Sequence, residues 1–304
     1  MDMRHASLLI EIARCGSFAE VARDRGIDPS WVSRTVAAVE EELGFRIFQR
    51  STRRVALTEA GDVYLRQVHS AIDALDRARD DALSLTRGPL GTLRLTSTVA
   101  FGQKVIVPLL PRFRQDFPNV DVELILSDVN LDLVTERIDL AIRLAPAVFG
   151  DLVAAKLQDT RYRVCASPEY LNRHGRPQHP SDLSQRDCLR FPLPGYRSLW
   201  LFRDAGGGIE KVEVSGSMVA SGALALQALT LAGMGPALLA NWLVDDDIAK
   251  GGLVDLFPDR WVTATSFETA IWMLYPSRSF LPKKVRAMID FLKAEAMASW
   301  RQWA

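Results

Sequence analysis

The sequence predicts two unlike halves, a small all-α winged helix-turn-helix and a larger α/β part, with one long helix between them. Three observations carry this. Two short helices with marked ends, residues 17–25 and 28–43, are joined by a turn that contains Gly26. A single helical pattern then runs from Thr58 to about Thr86. After Arg87-Gly88-Pro89-Leu90-Gly91, which breaks that helix, strand-like runs alternate with helical ones, the organisation of a mostly parallel sheet.

The first helix covers residues 3–15, with Leu8, Leu9, Ile12 and Ala13 on its buried side and His5 as a surface residue near its start. Ser17-Phe18-Ala19-Glu20 fits a capping box opening the second helix, which ends near Arg25, where Gly26 reverses the chain. Asp28 is placed to accept bonds from the first free N–H groups of the third helix, and Pro29 needs no N–H at its first position. Val32, Val36, Val39 and Leu43 form its apolar face, and Gly44 stops it. The other face carries Ser30, Ser33, Arg34 and Ala37. Small and hydroxylated residues with one guanidinium can approach a phosphate or a base edge closely; alone, such a face reads equally as ordinary solvated surface. A preceding helix and a glycine turn make it the second helix of a helix-turn-helix, the one that enters the DNA major groove. Residues 45–58 lose the helical period. Phe45, Ile47, Val55 and Leu57 alternate in two short runs, a hairpin that forms the wing. It carries Arg46, Arg50, Arg53 and Arg54 and no acid, so beside a helix-turn-helix it reads as a phosphate clamp.

Residues Leu8 to Gly61 resemble the LysR-type transcriptional regulators. The likeness rests on Gly16-Ser17-Phe18, Val32-Ser33-Arg34, Glu40 with Leu43-Gly44, Phe48-Gln49-Arg50 and the run from Arg53 to Gly61, RRVALTEAG. Pro29 stands where the family often has a polar residue and Trp31 where it usually has a small one. Both lie at the DNA-facing start of the helix, so the mode of binding carries over but the operator preference does not. The candidate DNA-binding residues are Pro29, Ser30, Trp31, Ser33, Arg34, Arg50, Arg53 and Arg54.

The chain has 304 residues, 48% hydrophobic and 24% charged, enough for two or three domains. Its net charge is zero, and through residue 58 nine arginines stand against eight acids. Local placement of charge, not net charge, must therefore supply the footprint on DNA, and non-specific binding should be modest. The long helix places Tyr64, Val68, Ala71, Leu75, Ala78, Ala82 and Leu85 at alternating spacings of four and three, flanked by charge. A seven-residue repeat makes a seam for another helix, so a two-fold dimer and an interrupted inverted repeat of double-stranded DNA are expected. The resemblance implies the same, since this is the family's linker and dimerisation helix, and it extends the expectation to dimers paired into tetramers, with RNA polymerase a candidate partner.

In the second half, residues 92–96, 120–126, 140–143, 162–166 and 212–214 read as strands, with strand-like runs at 236–240, 253–257 and 270–275. Helices are expected at 105–117, 130–136, 223–232 and 281–297. The resemblance implies an effector-binding domain of two α/β lobes like those of periplasmic binding proteins, with crossovers near Arg161 to Arg163 and Thr265 to Glu268. The expected divisions are 1–58 for the DNA-binding domain, 59–87 for the linker helix and 88–304 for the effector domain. Lobe I takes 92–161 and 268–304, and lobe II takes 162–267.

Ligands of such sheets lie beyond the carboxyl ends of strands. By position, Ser97, Thr98, Ser127, Asp128, Arg143, Phe149, Ser221 and Phe267 are the candidate effector-binding residues. Ser97 and Thr98 lead, because hydroxyls there could hold a carboxylate. Each position also reads as a plain cap or turn. Arg143 pairs either with a ligand acid or with Asp139, and Phe149 either lines the cleft or fills a loop.

An enzyme is the rival reading of an α/β half, but there is no GxSxG elbow, GxGxxG or Walker loop. Gly206-Gly207-Gly208 lies outside any strand-to-helix turn and reads as a hairpin or flexible loop. His174 and His179 with Asp182 lack metal-ligand spacing, and Cys15, Cys165 and Cys188 form no CxxC pattern. No catalytic residue, metal or cofactor is expected. A purely architectural DNA binder without a ligand is argued against by the size of the α/β half. The start, MDMRHASLLIEIA, is too short and too charged for a secretory signal, and no apolar run is long enough to span a bilayer, so a cytoplasmic protein is expected.

Overall fold

A computed structural model describes residues 3–50, 55–145, 152–276 and 281–299. Its contacts divide the chain into Met1–Arg87 and Gly88–Ala304.

The first unit consists of α1 (Met3–Cys15), α2 (Phe18–Arg25), α3 (Pro29–Leu43), β1 (Phe48–Arg50), β2 (Val55–Leu57) and α4 (Glu59–Arg87). Helix ends fall where side chains or glycine satisfy the free backbone groups. The Ser17 hydroxyl accepts from Glu20 N (3.3 Å), and Asp28 Oδ1 accepts from Ser30 N (2.7 Å). Gly26 closes α2 and Gly44 closes α3 at left-handed φ of 65° and 78°, which strain any side chain. Val32, Val36 and Val39 are buried against Leu8, Leu9, Ile12, Val21, Ile47 and Phe48. Thr58 Oγ1 accepts from Gly61 N (2.8 Å) to cap α4 and donates to Arg46 O (2.6 Å), tying the cap to the wing. Gly61 is required there, because a Cβ would stand 2.1 Å from Ile47 O.

The second unit begins with β3 (Gly91–Ser97), α5 (Val99–Phe101), a π-turn over Gly102–Ile106 and α6 (Val107–Asp116). The helix thus starts six residues before the expected 105. β4 (Val120–Leu126), β5 (Leu140–Ala145) and β6 (Leu152–Asp159) follow. The chain then crosses to β7 (Tyr162–Ala166), α7 (Pro168–His174), a 3-10 turn at Pro180–Gln185, β8 (Leu199–Arg203) and β9 (Ile209–Glu213). Next come α8 (Ala223–Leu231), β10 (Ala237–Ala240), α9 (Asn241–Ala249), β11 (Val254–Asp255) and β12 (Trp261–Thr263). The chain returns through β13 (Ala270–Pro276) to α10 (Lys283–Ser299).

Two sheets result, ordered β4-β3-β5-β13-β6 and β10-β7-β12-β8-β9, with β11 also paired to β7. The expected mostly parallel arrangement does not hold. β3 is parallel to β4 and β5, but β13 is antiparallel to β5 and β6, and every strand pair of the second sheet is antiparallel. The sequence reading lacked β6, β8 and β12, which supply most of the antiparallel pairs. Residues 130–136, expected as a helix, form turns: Asp132 Oδ1 accepts from both Val134 N (2.9 Å) and Thr135 N (3.0 Å), so the side chain competes with helical bonding. Gly206 to Gly208 close the β8–β9 hairpin around Asp204, which accepts Gly208 N at 2.8 Å.

One core extends through both sheets, joined by an edge-to-face contact of Phe101 with Trp242 at 5.1 Å. A second core lies inside the second sheet, around Trp200, Phe202 and Phe257. Among the described residues no helix is long and apolar enough to cross a membrane, and no cluster of side chains could hold a metal ion.

Candidate DNA-contacting surface and effector cleft

On α3, Pro29, Ser30 and Arg34 are exposed, Trp31 is 45% exposed, and Ser33 is half-buried. The Arg34 guanidinium folds back on its own helix, with Nε 3.3 Å from Ser30 O and Nη2 3.4 Å from Ser30 Oγ. These are long, exposed bonds that a base edge or phosphate can replace. Hydrogen bonds from the Ser30 hydroxyl and N–H hold the Asp28 carboxyl below its ordinary range, so the cap stays ionised at neutral pH. Glu40, at the inner end of α3, accepts from Ile47 N (2.8 Å) and Phe48 N (3.0 Å) and fixes the wing to the helix. Sequence reasoning quoted Glu40 in the resemblance but gave it no role. Arg53 and Arg54 lie outside the described residues, as does the side chain of Arg50.

Along α4, Leu75 is 55% exposed, and Ala71, Ala78 and Ala82 are exposed. Val68 is half-buried. Tyr64 differs from the rest of the seam: it packs edge-on against Phe45 at 5.4 Å, inside its own unit. The side chain of Leu85 lies outside the described residues.

Between the two sheets of the second unit is a cavity of about 600 Å³. Thr98, Asp128, Asn130 and Arg143 line it from the first sheet's side, and Tyr162, Phe191, Tyr196, Ser221 and Trp242 from the second's. The structure thus brings together Thr98, Asp128, Arg143 and Ser221 of the expected set. Three others fall elsewhere. Ser97 ends β3 with its side chain fully buried, outside the cavity lining, and its hydroxyl has no partner among the described residues. Ser127 spends its hydroxyl on Val129 N (3.2 Å) in a local turn. Phe267 lines a different cavity, against Arg203. Phe149 lies outside the described residues.

The helix start beyond β3, where a ligand carboxylate was expected, already has an anion: Asp128 Oδ1 accepts from Val99 N at 3.0 Å. The cation of the cleft is Arg143, 9% exposed. Its Nη1 donates to Ile142 O (3.1 Å) and Nη2 to Thr96 Oγ1 (3.1 Å), which leaves further N–H groups of the five on a guanidinium. Burial pulls its pKa down and the Asp128 charge pushes it back; an arginine stays charged through such a shift. Asp139, the alternative partner, accepts from Arg94 N (3.1 Å) and lies 3.4 Å from Lys284 Nζ.

The aromatic wall carries no mark in the sequence. The Tyr196 and Tyr162 hydroxyls meet at 2.7 Å, and burial pushes both pKa values up, so both keep their protons at neutral pH. Trp242 keeps its ring on Phe101 while its buried indole N–H has no acceptor among the described residues. A buried donor without a partner is uncommon in a folded protein, and here it lies in the lining of a cleft. The wall is therefore largely apolar with a few polar groups, the usual make-up of a small-molecule site. The cysteines stand apart from it. Cys165 and Cys188 are buried free thiols, and burial pushes the Cys188 pKa up to about 12.

A winged helix-turn-helix and a two-lobed α/β domain with a cleft are the parts of a ligand-sensing regulator of transcription, and comparisons with known proteins agree. The family model described as "Bacterial regulatory helix-turn-helix protein, lysR family" matches residues 3–62, and that for the LysR substrate binding domain matches residues 86–297. The HTH-type transcriptional regulator CrgA of Neisseria meningitidis serogroup C is 33% identical over 289 residues, covering 95% of each chain. The HTH-type transcriptional regulator DmlR of Escherichia coli K12 is 32% identical, over 93% of this chain and 90% of its own. The solved structure of CrgA from Neisseria meningitidis matches with a TM-score of 0.61 at 31% identity, over 97% of this chain and 99% of its own. The chain belongs to the LysR-type transcriptional regulators.

Proposed function

We propose that this regulator binds an interrupted inverted repeat of double-stranded DNA as a homodimer, paired into a homotetramer, in the cytoplasm. Ser30, Ser33 and Arg34 enter the major groove, while Arg50, Arg53 and Arg54 hold phosphates. Pro29 and Trp31 shape the entry of the helix and make the operator preference this protein's own. The exposed stretch of α4 around Leu75 pairs the two protomers. A small effector enters the cleft and sets its carboxylate on Arg143, since Asp128 already occupies the helix start. Thr98, Ser221 and the Trp242 indole complete its polar contacts. Closure of the lobes then alters the spacing of the DNA-binding pairs and their access to RNA polymerase. The effector shifts that equilibrium only by its differential affinity for the two arrangements. The reading assigns no catalytic residue, metal or cofactor.

One observation carries the DNA-binding part: α3 presents an exposed Ser30–Arg34 face on which the Arg34 guanidinium makes only long, local bonds among the described residues, while Glu40 fixes the wing beside it. The test is a titration on the protein's own upstream intergenic DNA with random competitor at fixed salt. Arg34→Ala is expected to weaken the specific complex by roughly 1–3 kcal/mol and to leave random DNA little changed. Arg53→Ala should weaken both alike and reduce the salt dependence by about one counterion. Equal losses on both DNAs for both variants would overturn this division of roles.

A further inference from the structure

A second cavity, of about 860 Å³, lies at the two crossovers between the lobes. Its lining draws on β6 and β13 of one sheet and on β7 and β12 of the other, and it shares only Tyr162 with the cleft. Arg161, Trp261 and Phe267 belong to its wall, and Arg203, outside the lining, lies against the two rings. The Arg161 guanidinium lies 4.6 Å from the centre of the Trp261 ring. That of Arg203, opposite Trp261 in the β12–β8 register, lies 4.2 Å from the same ring and 4.3 Å from that of Phe267.

Most of the surrounding charges are already paired. Lys156 is held by Asp159, Arg163 by Asp245 and Asp255, and Arg260 by Asp204 at 3.6 Å. Asp259 and Glu268 are exposed acids of the lining. Arg161 and Arg203 have no carboxylate partner among the described residues. Their planes rest on rings, which fixes the guanidinium and leaves its edge N–H groups free to donate. An independent sign comes from Thr160. It lines the same cavity, is only 5% exposed, and its hydroxyl has no hydrogen-bond partner among the described residues. A buried polar group in this state calls for a partner, and a group bound in the cavity is one candidate.

We propose that this cavity is a second small-molecule site, for an anion bearing carboxylate or phosphate groups, held by Arg161 over the Trp261 ring with Thr160 beside it, while Arg203 positions Trp261 and Phe267. Because both lobes and both crossovers build the wall, occupancy is coupled to their relative placement and hence, reciprocally, to the cleft. That coupling rests on the proposed effector reading; binding itself does not.

The experiment is calorimetric titration of the full chain with pyrophosphate in one arm and citrate in the other, at matched ionic strength. Saturable binding in at least one arm is expected, and the responding arm names the source of the anion. Arg161→Gln should weaken it at least about tenfold, and Arg203→Gln, which acts only through the rings, less. Thr160→Val should weaken it several-fold and raise the melting temperature of the ligand-free protein. Arg143→Gln, in the cleft, should leave it unchanged. Absence of saturable binding in both arms overturns the proposal, as does binding that survives Arg161→Gln. Binding lost through Arg143→Gln instead would move the anion to the cleft and overturn it equally. Since no DNA is present, failure here leaves the operator reading untouched.

Discussion

Glu40 accepts two backbone N–H groups at the start of the wing that follows α3, and among the described residues no other side chain of α3 reaches the wing in this way. Removing its carboxylate leaves Ile47 N and Phe48 N without that acceptor in a partly buried setting. Glu40→Ala is expected to cost roughly 1–3 kcal/mol of unfolding free energy, read by urea denaturation. Glu40→Gln, which keeps one amide oxygen, should recover part of the loss. Trp242 poses the complementary test in the cleft. Trp242→Phe keeps a ring on Phe101 but removes the unpartnered N–H. The ligand-free protein should melt at the same temperature or slightly higher. Organic acids that raise the melting temperature of the native chain should raise that of the variant less, by an affinity loss of about 1 kcal/mol. Undiminished stabilisation of the variant by every such acid would remove Trp242 from the site. At this scale the sequence was legible where a residue acts on its neighbours in the chain. Asp28, Ser17, Gly26 and Thr58 do what their types do locally. Trp242, Tyr162 and Tyr196 were not legible, because residues 34 or more positions apart form the wall and no spacing rule joins them.

Among the elements, α3 and α4 could be read because each has a marked end and a periodic apolar face. α9 could not. Its Trp242, Leu243 and Val244 are buried in succession and three aspartates follow, so no face repeats. In β6 the burial pattern does not alternate, and β12 is three residues long, too short for any period to show. The Asn130 to Glu136 stretch erred the other way. It has helix-forming residues, but the Asp132 side chain takes the N–H groups a helix needs. α4 leads to a test of its own. Leu75 is 55% exposed in the single chain, at the middle of an apolar seam, while Tyr64 at the head of the seam is committed to Phe45. Leu75→Glu would bury a carboxylate in a helix pair, and by sedimentation should weaken dimerisation by about 2 kcal/mol or more. A variant that sediments as the native chain does would show that α4 is not the seam.

For the whole molecule, the division into a DNA-binding unit and an α/β half was legible because short-range signals mark it, a helix-turn-helix, a heptad and a glycine-proline break; the two lobes came only with the family resemblance. The sheet topology was not legible, since within each sheet antiparallel pairs such as β13 with β5 and β10 with β7 join segments far apart in the chain. The LysR family places a sensing domain beyond a DNA-binding one, and dimerisation through α4 would put two copies of α3 on one face of a duplex. Hydroxyl-radical footprinting on the upstream intergenic DNA tests that arrangement most directly. Two protected patches should lie on one face of the duplex, about one helical turn or a whole multiple of it apart, over the arms of an inverted repeat. Arg34→Ala should erase both patches together. A single patch, or protection spread evenly without regard to sequence, would contradict the dimeric winged-helix reading at its centre.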